Sequence, residues 1–412
     1  MNLLYEKKSK MDSSSFILQK RDITCIVSFL LFLLSSSVLF YRNNSDPFRI
    51  RYPYSGEKRS CDYSYGKWIK DENRTTSYTE DCRFIDLGFR CRRNGREDSD
   101  YLRYRWQPHD CNLPTFDADN MLEKYRNKRI VFAGDSIGRN QWESFICMAA
   151  QGVKNKSTIY EQNGRPITKH KGFLSIRFHL YNMTVEYYRV PYLVAIGPPP
   201  ANSSIDVKKS IHLDQLHGLS QRWIGADIIV FNSGHWWNHG KINKKGFFFQ
   251  EDRNLNISMD SREAFARAMQ TWKRWVVQNM QSKRTHVFFR TYSPIHFGGG
   301  AWDDGGRCDE YSQPMTPNDD GRQERKPWNY NAAILRVVEQ IKMSANQRSN
   351  GRRNLNIELL NITYMTEFRR DGHPSDHREA SSSLMQQDCS HWCLPGIPDA
   401  WNSLLYAHLF SD

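Results

Sequence analysis

Three residues from two distant stretches of this 412-residue chain have the types needed for nucleophilic acyl chemistry: Ser136, Asp388 and His391. A serine hydroxyl is a weak nucleophile at neutral pH. It needs a base within hydrogen-bond reach, and the base needs a carboxylate to fix its tautomer. Ser136 closes the tripeptide Gly134–Asp135–Ser136, and Asp388 and His391 stand three residues apart. On a helical turn or tight loop that spacing carries both side chains to the same side. Taken singly, each motif has a plain structural explanation. A capping Asp or Ser accounts for a Gly-Asp-Ser turn, and a surface ion pair accounts for Asp-x-x-His. Asp135 is read as support for the turn rather than as the triad's acid.

The surrounding elements decide whether these residues can meet. Arg129–Gly134 is a short apolar run that reads as a buried strand, and 141–150 reads as a helix. Strand, sharp turn and helix would lift Ser136 to the top of a sheet, beside helix N-terminal N–H groups that stabilise an oxyanion. The turn is not a GxSxG elbow. Short strands are expected at 173–179 and 183–190 around a Tyr-Asn turn, and at 227–231, 285–291 and 354–360. Helices are expected at 119–124, 261–279 and 329–343, with Ser261 as a cap for the second. Strands alternating with helices imply a mostly parallel sheet covered on both faces, with its site at the carboxyl ends of the strands. Asn232, His235, Trp236 and Trp237 follow one such strand end. Residues 291–306 form a glycine-rich loop after another, with no Lys-Ser/Thr ending to make a phosphate loop; a mobile wall of a substrate groove is the expectation. Trp236, Trp237, Trp302, Trp328, Trp392 and Trp401 are placed in loops. There they would stack on sugar rings or serve as core.

The formal net charge of +13 suits nucleic acid, membrane headgroups or an acidic polysaccharide, although charge alone points first to a merely basic, soluble surface. The N-terminus selects among these. Ile23–Tyr41 is almost wholly apolar and about as long as the ~20 residues of a spanning helix. Lys7, Lys8, Lys10, Lys20 and Arg21 precede it, favouring a cytosolic N-terminus. The bulky Phe40–Tyr41–Arg42 offers no signal-peptidase site. The reading is a cytosolic tail (1–22), a signal anchor (23–41), a stem (42–58), a Cys-rich segment (59–115) and a catalytic domain (116–412), with all but the tail and anchor luminal. A lumen excludes nucleic acid as a partner. Of nine cysteines, Cys25 falls in the anchor, and the remaining even number implies disulfides in an oxidising compartment. Their spacing leaves the pairing open. No second Cys/His pair has zinc spacing, so no metal is expected. Seven Asn-x-Ser/Thr sequences fit a glycosylated protein of the secretory pathway. The Cys-rich segment has few apolar runs and is expected to owe its order to disulfides.

The stretches GDSIGRNQWES, VFNSGHWW, RTYSPIHF and DCSHWCLPGIPDAWN together resemble the plant trichome birefringence-like family of polysaccharide O-acetyltransferases, from Cys61 nearly to the end. The resemblance implies an SGNH/GDSL-hydrolase-like three-layer α/β sandwich and a Golgi-resident, single-pass type II protein. It also implies a Ser136–His391–Asp388 triad that moves acetyl groups to a cell-wall glycan such as xylan or pectin. Ser136 N–H and Asn232 become candidate oxyanion donors, with Gly134, Asp135 and Arg139 supporting the site. Trp236, Trp237, His235, Trp302 and Trp392 become candidates for the substrate groove. The family pattern further suggests the pairs Cys61–Cys111, Cys82–Cys147, Cys91–Cys393 and Cys308–Cys389. No bound cofactor is expected, and the acetyl donor and the glycan stay open. An acetylesterase would use the same triad with water as acceptor. A non-catalytic pectin-binding protein would use only the basic residues and tryptophans.

Overall fold

A computed structural model of the protein describes residues 61–168, 170–280, 285–315, 329–347, 355–379 and 386–410. The expected cytosolic tail, anchor and stem, together with Trp328, lie outside the described residues. Among the described residues no helix is long and apolar enough to cross a membrane.

In chain order the strands are β1 (Gly66–Lys70), β2 (Tyr104–Pro108), β3 (Arg129–Gly134), β4 (Ile159–Glu161), β5 (Phe173–Phe178), β6 (Met183–Arg189), β7 (Val194–Gly197), β8 (Lys209–Leu216), β9 (Ile228–Phe231), β10 (Phe247–Glu251), β11 (Asn254–Asn256), β12 (His286–Arg290) and β13 (Asn356–Leu360). The α-helices are α1 (Ala118–Lys124), α2 (Ser136–Ala149), α3 (Ser261–Asn279), α4 (Asn329–Gln347), α5 (Thr363–Glu367) and α6 (Ile397–Phe410). A seven-stranded sheet runs β13-β12-β9-β3-β6-β5-β4. Its first five strands are parallel, and β5 and β4 extend it antiparallel. A smaller sheet, β11-β10-β8-β7, stands apart, tied to α3 by the Thr271 hydroxyl donating to the Leu213 carbonyl.

Alternation along the parallel strands sends side chains to two faces. Ile130, Phe132, Ile228, Val230 and Phe288 join the core that holds Trp142 and Phe145 of α2 and Trp401 and Leu404 of α6. Phe231 and Phe289 turn the other way, onto Trp272 of α3 at 5.4 and 4.9 Å between ring centroids. Burying both faces is what gives these strands their near-continuous apolar sequence.

The Cys-rich segment is more than a disulfide-held cover. Tyr78, Phe84, Ile85, Phe89 and Trp106 are buried in the same core as α2 and α6. Its aromatics are scattered singly between charged residues, so no apolar run announced them.

Several expected helix limits and caps differ from the structure. Helix α2 begins at Ser136 rather than 141, because the Asp135 carboxylate caps it by accepting from Ile137 N–H at 3.0 Å. Gly138, a poor helix former, sits in its first turn. Helix α3 is capped by Asp260, which accepts from Arg262 N–H, not by Ser261. Residues 397–410, of which only Trp401 has an expected place, in a loop, form α6 with Pro398 in its first turn, where a missing N–H costs nothing.

Candidate active site

β3 is the central strand, flanked by β9 and β6, and the chain leaving it turns straight into α2. Ser136 is the first residue of α2 and is half-buried. Its Oγ lies 2.8 Å from Nε2 of His391, and His391 Nδ1 lies 2.8 Å from Oδ2 of Asp388. The remaining Asp388 oxygen, Oδ1, accepts the main-chain N–H groups of Ser390 and His391 at 3.1 and 3.0 Å. The Asp-x-x-His spacing is therefore that of an Asx turn: one carboxylate oxygen closes the turn while the other holds the imidazole. The Asp388 main chain is itself paired with Ser375 in both directions, at 3.0 and 2.9 Å.

Burial works against charge at both members of this pair, but the pairing prevails. The Asp388 carboxyl is held well below the usual carboxylate range by the His391 charge and by the N–H groups it accepts. His391, which burial alone would lower, is raised above its ordinary value by Asp388. With Nδ1–H committed to the carboxylate, the neutral ring presents the lone pair of Nε2 to the Ser136 hydroxyl.

Asp135 is buried behind the turn. Burial opposes its ionisation, yet the carboxyl is pulled below its usual range by His235, the Arg290 charge and Asn232. Asn232 Nδ2 donates to Asp135 Oδ1 at 2.5 Å. A Cβ on Gly134 or Gly138 would stand 2.0 Å from Asn232 Oδ1, so both glycines make room for this side chain. Ile137 N–H is taken by Asp135 Oδ1 and Gly138 N–H by the Asp135 carbonyl, whereas Ser136 N–H has no acceptor among the described residues.

The His235 side chain is largely buried. It stacks on Tyr292 with ring centroids 4.2 Å apart, places Nε2 2.8 Å from the Ser293 carbonyl, and sets Nδ1 3.5 Å from Asp135 Oδ2. Trp237 and Trp392 are wholly buried, with their indole N–H groups donating to Ser233 and Ser293 hydroxyls at 2.9 and 3.0 Å. Neither can stack on a sugar, and Trp401 is buried in α6 likewise. Trp236 and Trp302 remain half-exposed. Lys241 reaches both, its Nζ 3.8 Å from the Trp302 ring and 5.5 Å from that of Trp236. Arg189 at 5.5 Å and Lys245 at 5.7 Å also approach Trp236. Burial and the neighbouring Lys245 lower the Lys241 pKa.

Arg139 is buried and bonds to Asp86 Oδ2 at 2.9 Å and to Glu143 Oε1 at 2.6 Å. It does not touch the triad. Asp86 caps the 3₁₀ turn Leu87–Phe89, which carries Phe89 to the His391 ring, so Arg139 acts on the site through the Cys-rich segment. Burial drives Glu143 up to about 7 against the pull of Arg139.

Several supporting residues were not singled out from the sequence. Asn140, one turn beyond Ser136, accepts from Trp392 N–H at 2.8 Å and donates to the Trp392 carbonyl at 3.1 Å, clamping the chain next to His391. Its i+4 spacing from Ser136 would be the signal, but a helix read from 141 leaves both residues outside it. Arg290, at the end of β12, donates to the Ile137 carbonyl at 3.0 Å; burial lowers its pKa to about 10. Four disulfides join Cys61 to Cys111, Cys82 to Cys147, Cys91 to Cys393 and Cys308 to Cys389. The last two grip the triad loop on either side of His391. The glycine-rich loop is tied down too: Gly298 and Arg307 exchange main-chain hydrogen bonds, and Cys308 anchors its end. Among the described residues no cluster of His, Cys, Asp or Glu could hold a metal ion.

Comparison with known proteins places this geometry in context. Residues 113–408 match the sequence model of the PC-Esterase family, described as the GDSL/SGNH-like acyl-esterase family found in Pmr5 and Cas1p. Residues 59–112 match the PMR5 N-terminal domain. The chain is 50% identical over 360 residues to protein trichome birefringence-like 9 of Arabidopsis thaliana, covering 86% of this chain and 84% of that one. It is 39% identical over 407 residues to protein trichome birefringence-like 6 of the same plant, covering 98% and 79%. Protein trichome birefringence, also from Arabidopsis thaliana, is 38% identical over 363 residues, covering 86% and 57%.

Proposed function

Because the chain belongs to the trichome birefringence-like family with its GDSL/SGNH-like acyl-esterase domain, we propose that it is an O-acetyltransferase that esterifies hydroxyls of a plant cell-wall polysaccharide, xylan or pectin. The observation that carries this reading is the unbroken relay from Asp388 Oδ2 through His391 to Ser136 Oγ, each link at 2.8 Å. In the first half-reaction His391 Nε2 takes the Ser136 proton as Oγ attacks the acetyl carbonyl of the donor. The tetrahedral oxyanion is received by Ser136 N–H and the second N–H of Asn232. Collapse expels the donor's leaving group, which takes the proton back from His391, and leaves acetyl-Ser136. In the second half-reaction a sugar hydroxyl gives its proton to His391 and attacks the acetyl-enzyme. Ser136 then leaves with that proton, and the acetyl ester sits on the glycan.

Trp236, Trp302, Lys241, Lys245 and Arg189 support an acceptor that combines sugar faces with negative charge, as in pectin or a glucuronate-bearing xylan. Golgi residence with the catalytic domain luminal belongs to the same proposal and rests on the apolar Ile23–Tyr41 segment and its basic flank.

The test is incubation of the protein with an activated acetyl ester and a panel of de-acetylated xylan, mannan and pectic oligosaccharides, with products mapped by NMR. Acetylated oligosaccharide is the expected product. Free acetate alone would replace the transferase reading with that of an esterase, and no Ser136-dependent product would leave a glycan-binding protein.

A further inference from the structure

Behind the triad loop, His296 and His373 face one another with Nδ1 of the first 2.7 Å from Nε2 of the second. Each ring's other nitrogen points at a main-chain carbonyl. His296 Nε2 lies 3.0 Å from the Glu367 carbonyl, and His373 Nδ1 lies 2.6 Å from the carbonyl of His391. A carbonyl can only accept, so His296 Nε2 and His373 Nδ1 must both carry hydrogen. Two neutral imidazoles then have none left, and the facing nitrogens would meet lone pair to lone pair. Three contacts need three protons, one more than two neutral rings possess.

We propose that His296 and His373 share one additional proton across their facing nitrogens, and that this imidazole–imidazolium pair is a positioning device that fixes the main chain of His391. The contacts run directly to the base. His373 donates to the His391 carbonyl and packs on the Trp392 ring, 4.0 Å between centroids. The His296 main-chain N–H donates to the Cys389 carbonyl at 3.1 Å, so the pair grips the Asp388–His391 turn at both ends. Without the shared proton, one of the rings must turn away or give up its carbonyl.

The surroundings set what the pair can hold. Arg370 faces His296, while Asp388 and His391 face His373. Arg96 bonds the His373 carbonyl at 3.2 Å and pairs with Asp98, and Arg369 is closed onto Asp371. Burial first, and the charge on the neighbouring ring, push His373 far below its ordinary range; burial lowers His296 to about 4. Burial therefore opposes even the shared proton, which the three contacts hold in place, and a second is refused, because two cations would stand 2.7 Å apart. One proton satisfies all three contacts and gains some support from Asp388.

The proposal builds on the reading of Ser136 and His391 as nucleophile and base, and its test separates the two. Nitrogen-15 spectra of histidine-labelled protein, recorded against pH without substrate, should show His296 Nε2 and His373 Nδ1 protonated and the facing nitrogens titrating together in one step. Facing nitrogens that stay unprotonated throughout the range where the protein is folded would overturn it. In His296→Asn the amide can donate to His373 Nε2 without an extra proton. That variant should lose the shared titration step while keeping the proton signal of the His391–Asp388 bond. His373→Ala should shift that signal and slow phosphonate labelling of Ser136 by up to about 100-fold, the scale of a misplaced catalytic group. A His391 signal and labelling rate unmoved in His373→Ala would remove the positioning role. The nitrogen spectra decide the shared proton whichever reaction Ser136 carries out. Wild-type Ser136 that took no phosphonate would count against the catalytic reading instead.

Discussion

The ring of Phe89 lies 5.4 Å, centroid to centroid, from the ring of His391. Phe89 belongs to the Cys-rich segment, and its carbonyl accepts from Leu394 N–H at 2.9 Å, so the segment forms the wall on which the base rests. Phe89→Leu keeps an apolar side chain but not the ring-to-ring contact. It should lower kcat by about 10- to 100-fold with little change in KM, as for a misoriented catalytic group. Phe89→Ala should also destabilise the fold by about 3–5 kcal/mol. Steady-state kinetics and thermal unfolding of both variants check this.

Removing the nucleophile should be decisive for turnover and nearly neutral for folding. Ser136→Ala is expected to lower kcat by at least about 10³-fold and to abolish any acetyl-enzyme, because the triad acts as a unit. Asp388→Asn should cost about 10²- to 10⁴-fold, since the amide favours the wrong tautomer of His391. Mass spectrometry of protein quenched after a pulse of acetyl donor reads the acetyl-Ser136 directly.

The Asp388–His391 pair makes stability pH-dependent in a defined window. The lowered Asp388 contributes above its unfolded pKa, and that contribution is lost as pH falls through the folded value. The raised His391 contributes below its unfolded pKa, and that contribution is lost as pH rises through the folded value. The excess stability of wild type over His391→Asn should therefore be greatest between about pH 4 and 6.5, the unfolded carboxylate and imidazole values, and shrink on either side. Acylation needs neutral His391, so kcat/KM should rise with pH through a step above that ordinary imidazole value. Denaturant unfolding and rate profiles across pH test the two signs.

Glu143 behaves in the opposite sense to Asp388. Burial raises it from 4.5 to about 7, so its ionisation in the folded state is unfavourable, and stability should fall as pH rises through that interval. Glu143→Gln should gain on wild type across the same interval. Arg139→Met, which strands Asp86 and Glu143 in a buried site, should destabilise by about 3–5 kcal/mol. Chemical denaturation of the two variants at pH 5 and pH 8 separates these effects.

At the half-exposed aromatics, Trp236→Ala should raise KM for an acidic oligosaccharide several-fold, at about 0.5–2 kcal/mol for a lost stacking or cation–π contact, and leave kcat nearly unchanged. Lys241→Gln should do the same for uronate-bearing acceptors and not for neutral ones, and the difference should fade in high salt. Acceptor kinetics at two ionic strengths measure it.

The parallel core strands were legible because burial on both faces forces apolar runs, and Gly134–Asp135–Ser136 was legible because such a run ends there abruptly. The smaller sheet was not. Its strands β7, β8, β10 and β11 mix polar and apolar residues without a regular period, and β7 and β11 are short edge strands. Helix α6 was missed because Pro398 and two loop-like residues before it look like a turn, although proline at a helix start is favourable. Tryptophan identity did not distinguish Trp236 from Trp237. Only packing does, since adjacent residues on one turn face opposite ways. His296 and His373 lie 77 residues apart in sequence, and nothing short of the folded chain brings them together.

The covalent tie between Cys91 and Cys393 spans 302 residues, and His391 reaches Ser136 across 255. In a chain made from its N-terminus, the nucleophile and its whole parallel neighbourhood can be in place long before the base exists. A nascent chain that stops short of residue 391 would then lack the proposed base. Under the proposed function the site closes only once residues 388–393 have been made and Cys393 has met Cys91, so the linkage that seats His391 also times its arrival.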